Sequence, residues 1–240
     1  MRPIPTPVRG VAETKRHRFG GFKRADAERF VAEVQRYIAL RFLEQRSDEV
    51  RQALVEWKLP RGKDQYLTLP LYRDWVARYG AMRDELDLVV NSEFGSHPGY
   101  SAAATLNELF EGSLESRVAR NERWVANQRE LHSELFSSGL GYRLNQDQID
   151  SVLHDEHRSL VVAGAGTGKT STVVAKALWI QAQPESDLKR VKVLAFNVKA
   201  AAEINYRFRG IAGDEALAST FHSLGMGIAA KARGKKPRVT

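Results

Sequence analysis

The chain has 240 residues, of which 42% are hydrophobic and 28% charged, enough for one or two globular domains with a sizeable core. Its 37 Lys and Arg against 29 Asp and Glu leave a formal charge of +8, which favours polyanionic partners, either nucleic acid or an acidic membrane surface. The absence of cysteine excludes disulfides and thiolate metal sites, and no apolar run reaches the roughly 18 residues of a spanning helix, so a cytoplasmic, non-membrane protein is expected.

In chain order, residues 1–24 are rich in Pro, Arg and Lys, and Pro3, Pro5 and Pro7 forbid a regular helix, so a flexible basic arm is expected. Residues 25–137 read as an all-helical region. A first helix is expected to Lys58, with Phe30, Val31, Val34, Tyr37, Ile38, Phe42 and Leu43 as its apolar stripe, broken at Leu59-Pro60-Arg61-Gly62. A second helical stretch, from Pro70 to Val90, carries Leu71, Trp75, Val76, Tyr79, Met82, Leu86 and Val89 inward. A third, from Ser101 to Ser137, carries Leu106, Leu109, Phe110, Leu114, Val118, Trp124, Val125, Leu131, Leu135 and Phe136, with Gly112 a candidate break.

Ser138-Gly139-Leu140-Gly141 reads as a hinge, and residues 138–240 change grammar to strands alternating with helices. Expected strands are Leu160–Ala163, Val191–Phe196 and Ala216–Ser219. Expected helices are Lys169–Gln183, Val198–Phe208 (ended by Gly210) and Phe221–Ala232. This alternation is the pattern of an α/β fold, a parallel sheet with crossover helices. The four tryptophans, Trp57, Trp75, Trp124 and Trp179, sit at helical spacing among apolar residues and are expected in cores.

The string Ala163-Gly164-Ala165-Gly166-Thr167-Gly168-Lys169-Thr170 follows an apolar segment and opens a helix, the context of a phosphate-binding P-loop. Its glycines let the backbone wrap and point N–H groups at phosphate oxygens, and the helix N-terminus adds partial positive charge. Lys169 supplies a charge for the β- and γ-phosphates, Thr170 offers a hydroxyl to Mg2+, and Ser171 follows in the same turn. The first position of the pattern, ordinarily Gly, is Ala163. ATP with Mg2+ is the expected cofactor, and Lys169 and Thr170 are the expected catalytic pair.

Three further segments flank this loop in a fixed order. Leu144–Val152 lies upstream, Val193–Ile204 downstream, and Thr220-Phe221-His222-Ser223-Leu224-Gly225 follows. Together the four resemble the UvrD/Rep-like superfamily 1 DNA helicases, helicase IV-like members most of all, and the resemblance covers roughly the last 100 residues. Residues 121–136 resemble the helical lead-in of the same members more weakly. The resemblance implies a RecA-like P-loop domain and an ATP-dependent 3′–5′ DNA helicase. It also implies roles. Gln148 matches the glutamine that reads the adenine edge, a task suited to an amide that donates and accepts at once. Phe196, Asn197 and Lys199 match motif Ia, and Thr220, Phe221 and His222 match motif Ib, both single-stranded DNA contacts. Ordinary core is the alternative for Phe196.

Helicases of this family also use an acidic pair, downstream of motif Ib, that holds Mg2+ and positions water. Asp214-Glu215 precedes motif Ib, and Asp155-Glu156 precedes the loop, so neither stands in. The expectation is an incomplete motor that binds nucleotide and single-stranded or partly duplex DNA. Hydrolysis and translocation would await a second polypeptide that completes it. A non-catalytic nucleotide- and DNA-binding or interaction module is the alternative. The segment His154-Asp155-Glu156-His157 is expected to be a solvated turn, and the basic stretch Lys231–Arg238 a charged end.

Overall fold

The computed structural model describes residues 24–183, 191–212 and 217–234. The element order is α1 (Arg24–Lys58), α2 (Leu69–Tyr79), α3 (Arg83–Val90), α4 (Tyr100–Leu131), α5 (Gln146–Leu153), α6 (Lys169–Ala182), β1 (Val193–Ala195), α7 (Val198–Ala212), β2 (Ala218–Thr220) and α8 (Phe221–Arg233). The protein is mostly helical with a small two-stranded parallel sheet. Two compact units meet inside α4, one ending at Arg120 and the other starting at Asn121. No described helix is long and apolar enough to cross a membrane. The expected basic arm lies outside the described residues apart from Arg24, which opens α1, and Asp214-Glu215 lies outside them too.

In the first unit, α1 buries side chains only from its middle onward: Ala39, Phe42, Leu43, Val50, Ala53 and Trp57. Phe30 and Tyr37, each 62% exposed, and Val31 fall outside the core, contrary to the apolar-stripe expectation. The reason is what stands opposite, because α3 packs against the later turns of α1. A break follows at Pro60–Gly62, where Arg61 and Gly62 take φ of 55° and 75°. The Thr68 hydroxyl accepts from the Leu71 amide at 3.5 Å and starts α2, with Pro70 in the first turn. A single 3-10 turn at Gly80–Met82 separates α2 from α3. Trp75 anchors this core. Its ring lies 4.8 Å from Trp57 and 4.9 Å from Phe110, and its indole N–H donates to the Ala53 carbonyl at 2.9 Å.

The helix α4 runs unbroken through Gly112, so that glycine is not a helix break. Leu114, Val118 and Leu131 are exposed along it, while Leu106, Phe110, Trp124 and Val125 are buried. Arg120, 8% exposed, closes the first unit. Its guanidinium donates to the carbonyls of Trp57 at 2.8 Å, Lys58 at 2.9 Å and Gln65 twice at 3.1 Å. Two of these are last-turn carbonyls of α1 that the helix itself leaves unpaired.

In the second unit, α5 opens with a reciprocal cap between Asn145 and Gln148. The helices α5 and α6 pack together, and Lys176 on α6 donates to the Val152 carbonyl at 2.7 Å and to Asp155 at 2.8 Å. Trp124 and Trp179 meet edge to face at 6.2 Å, with the His132 ring edge-on to Trp179 at 6.5 Å. All four tryptophans are buried.

The sheet pairs β1 with β2 in parallel, Val193 opposite Ala218, Leu194 opposite Ser219 and Ala195 opposite Thr220. The expected strand Leu160–Ala163 does not form among the described residues. Residues 160–163 precede the loop without strand pairing, and Leu160 and Val162 stand 89% and 88% exposed. A strand is defined by its neighbour, and the paired strands among the described residues are β1 and β2 alone. The helix α7 also continues past Gly210 to Ala212.

Replacing Arg120 by Met strips the carbonyls of Trp57, Lys58 and Gln65 of their donor. Urea denaturation is expected to show a loss of about 3 kcal/mol; a change under about 0.5 kcal/mol, the scale of an inert surface substitution, would remove Arg120 from the stabilising groups. Burial holds the pKa of His132 below the ordinary histidine value. The unfolded chain therefore takes up the proton first, so this contribution is intact above about pH 6.5 and is lost as pH falls through the depressed value. His132→Asn should flatten that part of the stability-versus-pH profile, and an unchanged profile would exclude the assignment.

Candidate functional site

The turn ahead of α6 is built by two left-handed glycines, Gly166 with φ of 75° and Gly168 with φ of 84°. At Gly168 a Cβ would also fall 2.3 Å from the Gln148 amide nitrogen, so only glycine suits this position. Gly168 is the N-cap of α6, and Lys169 is the first helical residue. The Thr167 hydroxyl donates to the Gly164 carbonyl at 2.9 Å and closes the turn. The Lys169 ammonium donates to the carbonyls of Ala163 and Gly164, which holds it over the loop rather than out along α6. Gly164, Ala165, Gly166, Thr167 and Lys169 are exposed, so an anion has open access to the turn. The first turn of α6 continues with the half-buried Thr170 and Ser171.

Gln148 reaches this loop. Its side-chain oxygen accepts from the Asn145 amide at 2.9 Å, and its side-chain nitrogen donates to the Thr167 carbonyl at 3.0 Å. Both ends of the amide expected to read adenine are thus engaged, one capping α5 and the other holding the loop. The structure therefore brings Gln148 together with the 163–171 string, which the family resemblance implied without giving a contact.

The other expected residues gather at the carboxyl ends of β1 and β2. Because Ala195 pairs with Thr220, Phe196 and Phe221 follow directly after the paired ends of adjacent strands. Phe196 is 98% exposed and Phe221 70%, which decides against Phe196 as a core residue. Lys199 and His222 are exposed beside them. Asn197 accepts from the Ala200 amide at 2.8 Å and caps α7, and the Thr220 hydroxyl accepts from the Ser223 amide at 3.2 Å and caps α8. Each cap uses an acceptor atom, and donor hydrogens are what a phosphate oxygen needs.

Three side chains that spacing did not single out support these positions. Asn205 on α7 donates to the Ala218 carbonyl at 2.9 Å and accepts from the Ala218 amide at 2.7 Å, gripping β2 from the helix before it. Arg207 donates to the Ser171 hydroxyl at 3.2 Å, and the Tyr142 hydroxyl donates to the Ser171 carbonyl at 3.3 Å. Their partners lie 13, 36 and 29 residues away, so no local pattern announces them. In the segment 154–157, His154, Asp155 and His157 are exposed, with Asp155 paired to Lys176. No cluster of three metal-ligating side chains occurs among the described residues.

The fit to a nucleotide rests on this chemistry. A turn with left-handed glycines, a helix N-terminus and a lysine held over the loop suits a polyphosphate. The donor expected for a metal at this loop is the single Thr170 hydroxyl, so a Mg2+ ion would arrive with its phosphates and waters rather than fill a protein cage.

Comparison with known proteins agrees with the four-segment pattern. Residues 144–235 match the UvrD/REP helicase N-terminal domain. The chain is 34% identical over 126 residues to DNA helicase IV of Escherichia coli, covering 52% of this chain and 18% of that protein. It is 36% identical over 83 residues to the ATP-dependent DNA helicase UvrD1 of Mycobacterium tuberculosis, covering 33% and 11%. It is 32% identical over 84 residues to the ATP-dependent DNA helicase PcrA of Staphylococcus aureus, covering 34% and 12%. No solved structure matches. The chain spans less than a fifth of the curated relatives it matches. It is similar to the N-terminal portion of the UvrD/Rep-like helicases, and residues 144–235 are the part that carries this family's sequence.

Proposed function

We propose that this chain is the ATP-binding portion of an ATP-dependent DNA helicase, with Mg–ATP held at residues 163–171 and single-stranded DNA laid across the β1–α7 and β2–α8 junctions. The carrying observation is the left-handed Gly166–Gly168 turn at the start of α6 with Lys169 over it, inside the segment that matches the helicase domain. The loop belongs to a RecA-like P-loop domain in this reading. Backbone N–H groups and the Lys169 ammonium meet the phosphates, and Thr170 provides the protein ligand to Mg2+. The metal, when bound, neutralises charge on the phosphate oxygens. Gln148 reads adenine by giving up its bond to the Thr167 carbonyl, since that nitrogen is the donor adenine N7 requires.

For the nucleic acid, Phe196 and Phe221 offer two π-faces on which successive bases stack, a mode that tolerates any sequence. Lys199, the Asn197 amide and the N-termini of α7 and α8 supply positive charge and donors for the phosphates between them. Polarity of movement, 3′ to 5′, follows the family. A second polypeptide that completes the motor is part of this reading. The exposed Leu160 and Val162 favour such a partner, because an unpaired apolar segment is a surface that another strand covers. The chain works where its DNA and ATP are, in the cytoplasm. Under the alternative reading it binds nucleotide and DNA without hydrolysis until that partner joins.

Lys169→Ala is expected to weaken binding of a fluorescent ATP analogue about 10- to 100-fold, the value of one charged hydrogen-bonding group. Unchanged affinity would remove the loop assignment. Phe196→Ala and Phe221→Ala should each weaken binding of an oligo-dT strand by about 1–3 kcal/mol. Affinity should also fall steeply with salt. Two variants that bind the oligonucleotide like the parent chain would place the strand elsewhere.

A further inference from the structure

The candidate DNA face and the nucleotide loop are separate, yet one helix touches both. The helix α7 starts at the DNA face, with Asn197 as its cap and Lys199 in its first turn. Nine residues after Val198, about 14 Å along the axis, comes Arg207. One nitrogen of its guanidinium donates to the Ser171 hydroxyl at 3.2 Å, and the other donates to Glu203 at 2.6 Å, one turn back on α7. Ser171 directly follows Lys169 and Thr170 in the first turn of α6, and α6 packs against α7.

We infer that Arg207 is a positioning residue that couples nucleotide at the loop to single-stranded DNA on the β1–α7 face, an inference that rests on the functional reading above. The guanidinium is planar and its donors are fixed relative to one another, so Glu203 sets the angle at which the fork meets Ser171. A strand settling on Phe196 and Lys199 shifts the start of α7, and a rigid helix carries that shift to its Arg207 turn. Ser171 then moves against Thr170 and Lys169. The effect runs equally in reverse, since a coupling between two binding sites is reciprocal. With the Arg207 side chain 39% exposed, its ion pair with Glu203 adds little to stability, so its consequence is positional.

The test uses the full chain with a fluorescent ATP analogue and Mg2+, titrated with and without saturating oligo-dT. The parent chain is expected to change its nucleotide Kd about fivefold or more when the oligonucleotide is present. In Arg207→Met the change, read against that variant's own Kd without oligonucleotide, should collapse to under about twofold. Glu203→Gln, an exposed and milder change, should reduce the shift partway and carries the test if Arg207→Met proves unstable. A full shift in both variants overturns the inference. A parent chain that binds both ligands with no shift overturns the coupling and leaves the function standing. A parent chain that binds neither overturns both.

Discussion

Parallel pairing of three residues on β1 with three on β2 sets the geometry on which the candidate DNA face depends. Ala195 opposite Thr220 means that the chain leaves both strands at one level, and each exit leads directly into a helix. Two exposed aromatic rings and two helix N-termini therefore share one edge. A slip of one residue would send Phe196 and Phe221 to opposite faces, because side chains alternate along a strand. So short a sheet has few ladder bonds to resist slipping. Asn205 supplies two more, gripping Ala218 through both its amide N–H and its carbonyl, so that the crossover helix itself pins the register.

The candidate phosphate loop is ordered by different means. A P-loop is ordinarily suspended between a paired strand and a helix, but residues 160–163 have no strand partner among those described. The turn is instead held from its helix side. Gln148 grips the Thr167 carbonyl, the Thr167 hydroxyl closes on Gly164, and Lys169 bridges Ala163 and Gly164. The helix α5, which presents Gln148, is in turn tied to α6 through Lys176 and to the end of α4 through the Arg129–Asp150 pair. The proposed reading of adenine and the ordering of the loop thus compete for the same amide nitrogen of Gln148.

The helical unit ending at Arg120 follows a plainer logic. Aromatic rings from α1, α2 and α4 fill its centre, and a buried guanidinium satisfies the carbonyls where α1 stops. Helix periodicity foresaw most of this core, since Trp75, Tyr79, Met82, Leu86 and Val89 are all buried. It failed at Phe30, Val31 and Tyr37, because a stripe states which face is apolar and not whether anything packs on it.

The sequence by itself determined the glycine-rich turn that opens α6, the order of the helicase-like segments, the alternation of short strands and helices after residue 190, and the burial of the tryptophans. These are local patterns, in which glycine freedom, periodicity and neighbouring residue types carry the information. Only the tertiary structure decided that Gln148 spends both ends of its amide, that residues 160–163 have no strand partner among the described residues, and that Arg207 reaches Ser171. Each depends on groups brought together from distant parts of the chain, and pairing of that kind leaves no mark on the spacing of either partner.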